Sequence, residues 1–206
     1  MAVITISKEF GTESEKVAHL VAQILGYEYI GNSLIAEIAK ELHISESEAE
    51  AFRKTSQSRI LRLVDRYTCS IVQKVVDREH GCLDDKNYYE TTKKLVDKSY
   101  EAGDVIILGW GSQCILRGKP NTLHVHLKKD AETKVSEVME NRSLDYKAAK
   151  DYIEIEESDS RAYIKEYFKQ DWTDARLYDL IIDMGKNSVE KAVDLICDNI
   201  KHLEAS

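Results

Sequence analysis

The chain has 206 residues, of which 43% are hydrophobic and 32% charged, and its formal net charge at pH 7 is −8. A chain of this length buries roughly 70% of the surface that it exposes when unfolded, so it can form one sizeable core. The composition excludes an intrinsically disordered chain. The acidic balance argues against general affinity for nucleic acid or an anionic membrane, because their phosphate groups repel such a surface.

Nothing in the sequence indicates export or membrane insertion. No stretch approaches the roughly 18 consecutive apolar residues that a membrane-spanning helix needs. Residues 1–6 lack the basic flank and the small-residue cleavage site of a signal peptide. We therefore expect a cytoplasmic protein.

The cysteines favour free thiols over a crosslinked or metal-binding framework. Disulfide scaffolds are short and rich in cysteine, and structural zinc sites draw on closely spaced pairs. Here the cysteines lie far apart, without a CxxC pair, at Cys69, Cys82, Cys114 and Cys197. Buried free thiols are the better interpretation.

Short apolar runs bounded by turn residues predict five β-strands. Several of these runs are almost continuously hydrophobic, which is typical of parallel strands that are buried on both faces. The runs cover residues 3–7, 27–30, 105–108, 123–127 and 180–183.

Apolar residues at helical spacing fill the gaps between these strands. One stripe covers residues 17–25 and ends at Gly26, a typical C-terminal stop for a helix. A longer stripe covers residues 60–75 and fits packing either on the chain's own sheet or on a second copy, so a homodimer stays open. Further helices are predicted over residues 88–100, 144–168 and 189–200. The segment 144–168 has Ser143 as its predicted N-cap and is charged on nearly every turn, as a solvated helical arm would be.

The order of these elements predicts an α/β fold with a parallel sheet. In such sheets, ligands bind at the carboxyl ends of the strands, in the loops that lead into helices. The loops after Ser7 and after Leu108 are therefore the places where a site is expected.

The first of these loops stands where a phosphate-binding loop would be, between a strand and a helix N-terminus. It runs from Lys8 to Ser14 and lacks the GxxxxGK[ST] pattern. Carboxylates at Glu13 and Glu15 would repel a bound phosphate unless their side chains point away. Taken alone, the segment is better interpreted as an ordinary strand-to-helix turn.

Two other patterns have weaker functional interpretations. Gly109, Gly111 and Cys114 mimic a GxGxxG dinucleotide motif, but the helix that follows has scarcely two turns, too few for a dinucleotide-binding crossover. His124 and His126 fall on one face of a strand, as half of a metal site would. No third ligand is near them in sequence, so we predict side chains of a buried strand and no metal site.

Several segments, taken in order, carry a resemblance to a known family. They are ITISKEFG at 4–11, VIILG at 105–109, CILR at 114–117, NTLHV at 121–125, SRAY at 160–163, YF at 167–168, DW at 171–172 and LYDL at 177–180. The C-terminal set is the most specific in order and spacing. Together they resemble the cytidylate-kinase-like family, a bacterial branch of the P-loop nucleoside monophosphate kinases. The resemblance covers nearly the whole chain and is weakest over about residues 45–101.

This resemblance implies a P-loop kinase-like core, a single domain over residues 1–206 with about five parallel strands flanked by helices. It also implies a helical insert near residues 45–101 and a helical lid near residues 144–168. The implied reaction is phosphoryl transfer from ATP, with Mg²⁺, to a nucleoside monophosphate or a related small acceptor. Such chemistry consists mostly of positioning and charge neutralisation.

The resemblance also assigns the candidate site residues. The catalytic candidates are Lys8 and Arg161, for which the alternative is a surface ion pair. The ATP-binding candidates are Gly11, Thr12, Glu13, Ser14, Glu15 and Lys16, and the acceptor-binding candidates are Gly109, Trp110 and Arg142. Lys8 or Lys16 would supply the charge of the Walker lysine.

The sequence departs from the family pattern at positions that handle charge. The glycine-rich GSGG is GTES at 11–14, and the arginine of the GRG segment is Trp110, whose ring could instead stack on a base. The other departures are Gly31 for an aspartate, Lys134 and Glu137 for two arginines, and Ser158 for an aspartate. Two hypotheses follow: a nucleotide kinase of cytidylate-kinase type, or a catalytically silent descendant that serves as a ligand-binding or interaction module.

Overall fold

The computed structural model describes residues 1–54 and 85–204. Its centre is a five-stranded sheet in the order β2-β3-β1-β4-β5, and every neighbouring pair is parallel. The strands are β1 (Val3–Lys8), β2 (Glu28–Ile30), β3 (Val105–Leu108), β4 (Thr122–Lys128) and β5 (Leu180–Asp183). This arrangement confirms the predicted α/β fold.

Helices cover both faces of this sheet. They are α1 (Ser14–Leu25), α2 (Leu34–Leu42), α3 (Glu46–Lys54), α4 (Asp85–Ala102), α5 (Ser112–Ile115), α6 (Ala131–Arg142), α7 (Tyr146–Tyr163) and α8 (Val189–Glu204). A π-helical turn, Ile164–Phe168, continues α7, and a 3₁₀ turn, Ala175–Leu177, precedes β5. No helix within the described ranges is both long enough and apolar enough to cross a membrane.

The alternation of β1 side chains divides the apolar interior into two layers. Ile4 and Ile6 point to one face of the sheet, where they pack with helices α1 and α8. Val3 points to the other face, where it packs with α2 and α4. Successive side chains of a strand point to opposite faces, so a parallel central strand needs apolar residues at consecutive positions.

The structure describes some of the predicted helical stripes but not all of them. Val17 and Val21 are fully buried on α1, and Gly26 ends that helix with a φ of 70°, as its sequence predicted. The stripe over residues 60–75 lies outside the described residues, as do Cys69 and Cys82. Of the two cysteines that the structure describes, Cys197 is buried, Cys114 is half-buried, and both are free thiols.

The charged helix predicted over residues 144–168 begins two residues later, as α7. Ser143 does not cap α7, because it closes α6 in the left-handed conformation with a φ of 53°. The N-cap is Asp145, whose side chain accepts a hydrogen bond from the N–H of Ala148. The arm is also not simply solvated, since Ala149 and Ile153 of α7 are buried against α6.

Candidate functional site

The carboxyl ends of β1 and β3 bring the two predicted loops together. The N–H of Gly109 donates to the carbonyl oxygen of Ile6 across 2.8 Å, so the loop after β3 starts beside the loop after β1. We call residues 8–14 the first loop. Helix α7 lies across both loops and encloses two adjoining cavities.

We name these cavities the cleft and the hollow. The cleft, of about 330 Å³, lies between the two loops and α7, and its aromatic walls are Tyr88, Trp110, Tyr163 and Trp172. The hollow, of about 700 Å³, is formed by residues 8–15 with Ile155, Glu156, Glu157, Asp159, Ser160 and Trp172.

The backbone of the first loop has the open form that a phosphate loop requires. Gly11 and Glu13 have φ values of 73° and 47°, in the left-handed region. The Thr12 hydroxyl donates to the carbonyl oxygen of Glu9 across 2.8 Å and closes the turn. Within the described part of the chain, the backbone N–H groups of residues 11–16 donate no hydrogen bond, so they stand at the N-terminus of α1 as free donors.

The charges around these free donors are of the wrong sign for a phosphate. Carboxylates line the hollow from the first loop, the first turn of α1 and α7, and among the described residues that line it Lys8 is the one lysine. The carboxylates belong to Glu9, Glu13, Glu15, Glu156, Glu157 and Asp159. A bound polyphosphate would meet this negative charge in a partly enclosed space, where repulsion is stronger than in bulk water.

The lysines nearest the first loop are bound by carboxylates of the same chain. Lys129 Nζ lies 2.8 Å from Glu137, and Lys16 Nζ lies 3.7 Å from Glu13. Among the described residues, Lys8 has no carboxylate partner.

The most buried of these ion pairs is centred on Lys134. Its Nζ donates to Glu9 across 3.0 Å and to Glu157 across 2.7 Å, and its side chain is only 8% exposed. Burial alone would lower the pKa of Lys134, but its hydrogen bonds with the two carboxylates raise it. Lys134 therefore ties the end of β1 to α6 and α7 rather than facing a ligand.

Glu9 is the matching anion of this network. Burial would raise its pKa, yet His126, the backbone N–H of Lys129 and the ammonium of Lys134 outweigh burial and lower the pKa to about 2. The carboxylate stays ionised at neutral pH and is committed to these partners.

The cleft owes its shape to an unusual backbone after β3. Gly109, Trp110 and Gly111 have φ values of 84°, 62° and 65°, so three consecutive residues are left-handed. The Trp110 Nε1–H donates to the carbonyl oxygen of Gly31 across 2.9 Å and fixes the indole at the wall. A Cβ on Gly111 would lie 2.5 Å from the ring of Phe168, so only glycine fits there.

The C-terminal signature residues build the opposite wall. The Tyr178 hydroxyl donates to the carbonyl oxygen of Trp172 across 2.6 Å and lies 3.2 Å from the hydroxyl of Ser7. Burial raises the pKa of Tyr178 to about 12, so the phenol stays protonated and holds Trp172 in place. His126 stacks on Tyr178 with ring centres 4.6 Å apart.

Most of the candidate residues predicted from the sequence line one of the two cavities, and three of them do not. Lys8, Gly11, Thr12, Glu13, Ser14 and Glu15 line the hollow, and Gly109 and Trp110 line the cleft. Three others are absent from the lining that the structure describes. Lys16 pairs with Glu13, Arg142 lies 4.3 Å above the ring centre of Tyr152, and Arg161 pairs with Glu154 and Glu157.

Sequence reasoning missed several residues of the cleft. Tyr88 and Asp159 line it, although they belong to none of the motifs, and Tyr163 was noted only as part of the C-terminal signature. Trp172 was noted as part of the signature without a place in the site. These residues are far apart in the chain, so spacing carries no signal for their convergence.

The two strand histidines are interior side chains of β4. The Thr5 hydroxyl lies 2.7 Å from Nδ1 of His124, and burial lowers the pKa of His124. His126 is buried beside Glu9. No group of three or more histidine, cysteine or acidic side chains in residues 1–54 and 85–204 is arranged to hold a metal ion.

The described residues do not fit the triphosphate of ATP, which the resemblance implies as the phosphoryl donor. The free N–H groups of the first loop are suitable donors, but Glu13, Glu15 and Asp159 add negative charge around them. Phosphoryl transfer relies on cations that neutralise phosphate oxygens. In the described part of the hollow, Lys8 supplies that charge alone.

Comparison with known proteins agrees with this fold. The chain is similar to an uncharacterized protein from Eubacterium ventriosum, with 23% identity, 98% of this chain and 99% of that chain covered, and a TM-score of 0.63. It is also similar to shikimate kinase from Bacteroides thetaiotaomicron, with 10% identity, 97% and 98% coverage, and a TM-score of 0.51. No curated protein matches the chain significantly.

The match to a family is more specific than the likeness of folds. The sequence model of the Cytidylate kinase-like family matches residues 3–186, which is most of the chain. The parallel sheet, the loop after β1 and the flanking helices are those of a P-loop kinase fold. The chain therefore belongs to the cytidylate kinase-like family.

Proposed function

We propose that this protein is a kinase-fold binding protein that takes a small, flat ligand in the cleft and does not transfer phosphate. The observation that carries the proposal is the pairing of the loop-side lysines with the chain's own carboxylates. Lys134 binds two largely buried glutamates and Lys129 binds Glu137, so these two lysines are committed within the chain. Lys16 forms a weaker, exposed ion pair with Glu13.

The expected loss of phosphoryl-transfer rate follows from the cationic groups that this chain lacks or holds in ion pairs. A single arginine that stabilises the transition state of phosphoryl transfer is worth about 10³ or more in rate. Trp110 stands where the family has an arginine that would bind a phosphate or a ribose, and Lys134 is committed to largely buried glutamates. Losing several donors together leaves little transfer activity.

The side chains that line the cleft are suited to a ligand with a planar ring. Four aromatic side chains form its walls, and polar groups of Ser7, Asn32, Gln113 and Ser160 lie between them. Its volume of about 330 Å³ suits a small molecule. A nucleoside has this combination of a flat face and hydrogen-bonding edges, and cytidine is the natural first probe.

A second candidate function is a nucleotide kinase with ATP and Mg²⁺. The specific observation in its favour is the first loop itself, whose N–H groups at residues 11–16 are free and whose Lys8 has no carboxylate partner among the described residues. Mg²⁺ would offset part of the negative charge in the hollow, so the test includes it.

The two functions are separated by titrating the protein with ATP and Mg²⁺, alone and with CMP. Unfolding temperature and ADP formation are measured on the same samples. A ligand at 100 times its dissociation constant adds about 2.7 kcal/mol of stability. We expect no rise in unfolding temperature up to millimolar ATP and no ADP. A dose-dependent rise with ADP and CDP formation would establish the kinase instead.

A further inference from the structure

Three donors of different kinds converge on the carboxylate of Glu157. The N–H of Phe10 and the Nζ of Lys134 donate to Oε1 across 3.1 Å and 2.7 Å. Nη2 of Arg161 lies 3.5 Å from Oε2. A loop N–H, a lysine and an arginine are the donors with which proteins bind phosphate.

We propose that Glu157 is an internal anion that fills an oxyanion site of the phosphate type. The chain therefore retains the donors for such a ligand and occupies them with its own side chain, which is only 9% exposed. The inference rests on the proposed function, because it identifies the group that keeps phosphate away from the first loop.

The two cationic donors would stay in place without Glu157, since each has a second carboxylate partner, and the N–H of Phe10 is held by the backbone of the first loop. Lys134 remains 3.0 Å from Glu9, and Arg161 remains 2.7 Å from Glu154. This network contains two cations, Lys134 and Arg161, and three carboxylates, those of Glu9, Glu154 and Glu157. Removing Glu157 leaves two cations and two carboxylates. It also leaves one hydrogen-bond donor each on Phe10, Lys134 and Arg161 without its partner.

A small anion can reach this position from solvent. Phe10 and Glu157 both line the hollow of about 700 Å³. Replacing Glu157 by alanine removes the carboxylate and one methylene, which opens space beside the N–H of Phe10 and Nζ of Lys134. Glu156 and Asp159 also line the hollow and oppose an anion, so the expected affinity is in the millimolar range.

The test compares Glu157→Ala with wild type by titration with inorganic phosphate at constant ionic strength. Calorimetry measures binding, and thermal unfolding measures stabilisation. At ten times its dissociation constant, phosphate is expected to raise the unfolding temperature of Glu157→Ala by about 3–6 °C. Wild type is expected to bind at least about tenfold more weakly, because its own carboxylate competes for the same donors.

Glu154→Ala is the matched control on the same helix. It also removes a carboxylate partner of Arg161, but Glu154 is 62% exposed and has no hydrogen bond to the first loop. Phosphate should stabilise this variant no more than wild type. Equal stabilisation of all three proteins would show general salt stabilisation and would overturn the proposal.

Two further results would also overturn it. One is a folded Glu157→Ala that shows no saturable phosphate binding. The other is equally tight phosphate binding by wild type. If Glu157→Ala is unfolded without phosphate, refolding by phosphate, followed by circular dichroism, becomes the readout. Glu157→Ser, which also removes the carboxylate and opens the space, then repeats the titration. No refolding together with no binding by Glu157→Ser would reject the proposal. These outcomes are independent of ADP formation and of cytidine binding by wild type, which test the proposed function.

Discussion

Glu9 connects the chemistry of the first loop to the stability of the fold. Its carboxylate accepts hydrogen bonds from the backbone N–H of Lys129 and from Nζ of Lys134, and its oxygen lies 3.6 Å from Nε2 of His126. These groups favour the charged form of the carboxylate. The residue therefore stabilises the folded state only while it is ionised.

This arrangement predicts a specific acid sensitivity. The pKa of Glu9 is lowered from 4.5 to about 2 in the folded state. The stabilisation is complete above the unfolded pKa and is lost as the pH falls from about 5 towards 2. It amounts to about 3 kcal/mol. Urea unfolding between pH 2 and pH 7 should show this loss in wild type.

The control for this measurement is a pair of neutral variants. Glu9→Gln should lack this part of the pH dependence, so its stability and that of wild type should converge near pH 2. Glu140→Gln, on the exposed surface of α6, removes the same charge without touching the buried pair. A Glu9→Gln variant with the full acid sensitivity of wild type would contradict the assignment.

At the scale of elements, the junction between β1 and α1 holds backbone strain. Glu13 stands at the N-cap of α1 with φ 47° and ψ 30°, and its side chain makes no cap hydrogen bond. The left-handed region costs a residue with a Cβ about 1–2 kcal/mol. Glycine has no such cost, so the family's glycine at this position relieves strain as well as giving room to a phosphate.

Glu13→Gly is therefore expected to be more stable than Glu13→Ala by about 1 kcal/mol. Both variants remove the carboxylate and its ion pair with Lys16, so the comparison isolates the backbone. Urea unfolding at neutral pH measures the difference. Equal stability of the two variants would show that the left-handed conformation is not the source of the effect.

The helical arm is joined to the sheet by charge as well as by apolar packing. Val135 and Val138 of α6 pack on Ala149 and Ile153 of α7. The N–H of Phe10 and Nζ of Lys134 then bind Glu157 of α7 beside the first loop. Contacts within the chain therefore hold α7 against the first loop.

At the scale of the whole molecule, both tryptophans of the chain meet in the cleft. Trp110 follows β3 and Trp172 follows the π-helical turn, and the fold places them around one cavity. Tryptophan fluorescence therefore reports directly on a ligand that enters the cleft.

We expect cytidine to cause a saturable change in this fluorescence. CMP should bind more weakly, because the two carboxylates of the described cleft lining, Glu15 and Asp159, outweigh the single ammonium of Lys8 and repel its phosphate. Trp110→Phe and Trp172→Phe each leave one reporter and show which wall the ring contacts. A cleft that responds to CMP at lower concentration than to cytidine would favour the kinase.

Much of the framework could be predicted from local pattern. The strands Val105–Leu108 and Leu180–Asp183 have the predicted bounds, because a run of apolar residues between turn residues fits a buried parallel strand. The place of the first loop followed from the same reasoning. The N-cap at Asp145 instead of Ser143 was missed, because both residues are common at caps and only backbone conformation distinguishes them.

The sequence by itself determined the α/β class, the family and the two loops where a site is expected. The tertiary structure decided how each charge is used. Lys134 and Glu9 are 125 positions apart, and Phe10 and Glu157 are 147 positions apart. Pairs so distant leave no periodicity to detect, and their contact depends on how α6 and α7 pack across the sheet. Packing therefore turned Lys134, a cation that could bind phosphate, into the partner of two largely buried glutamates.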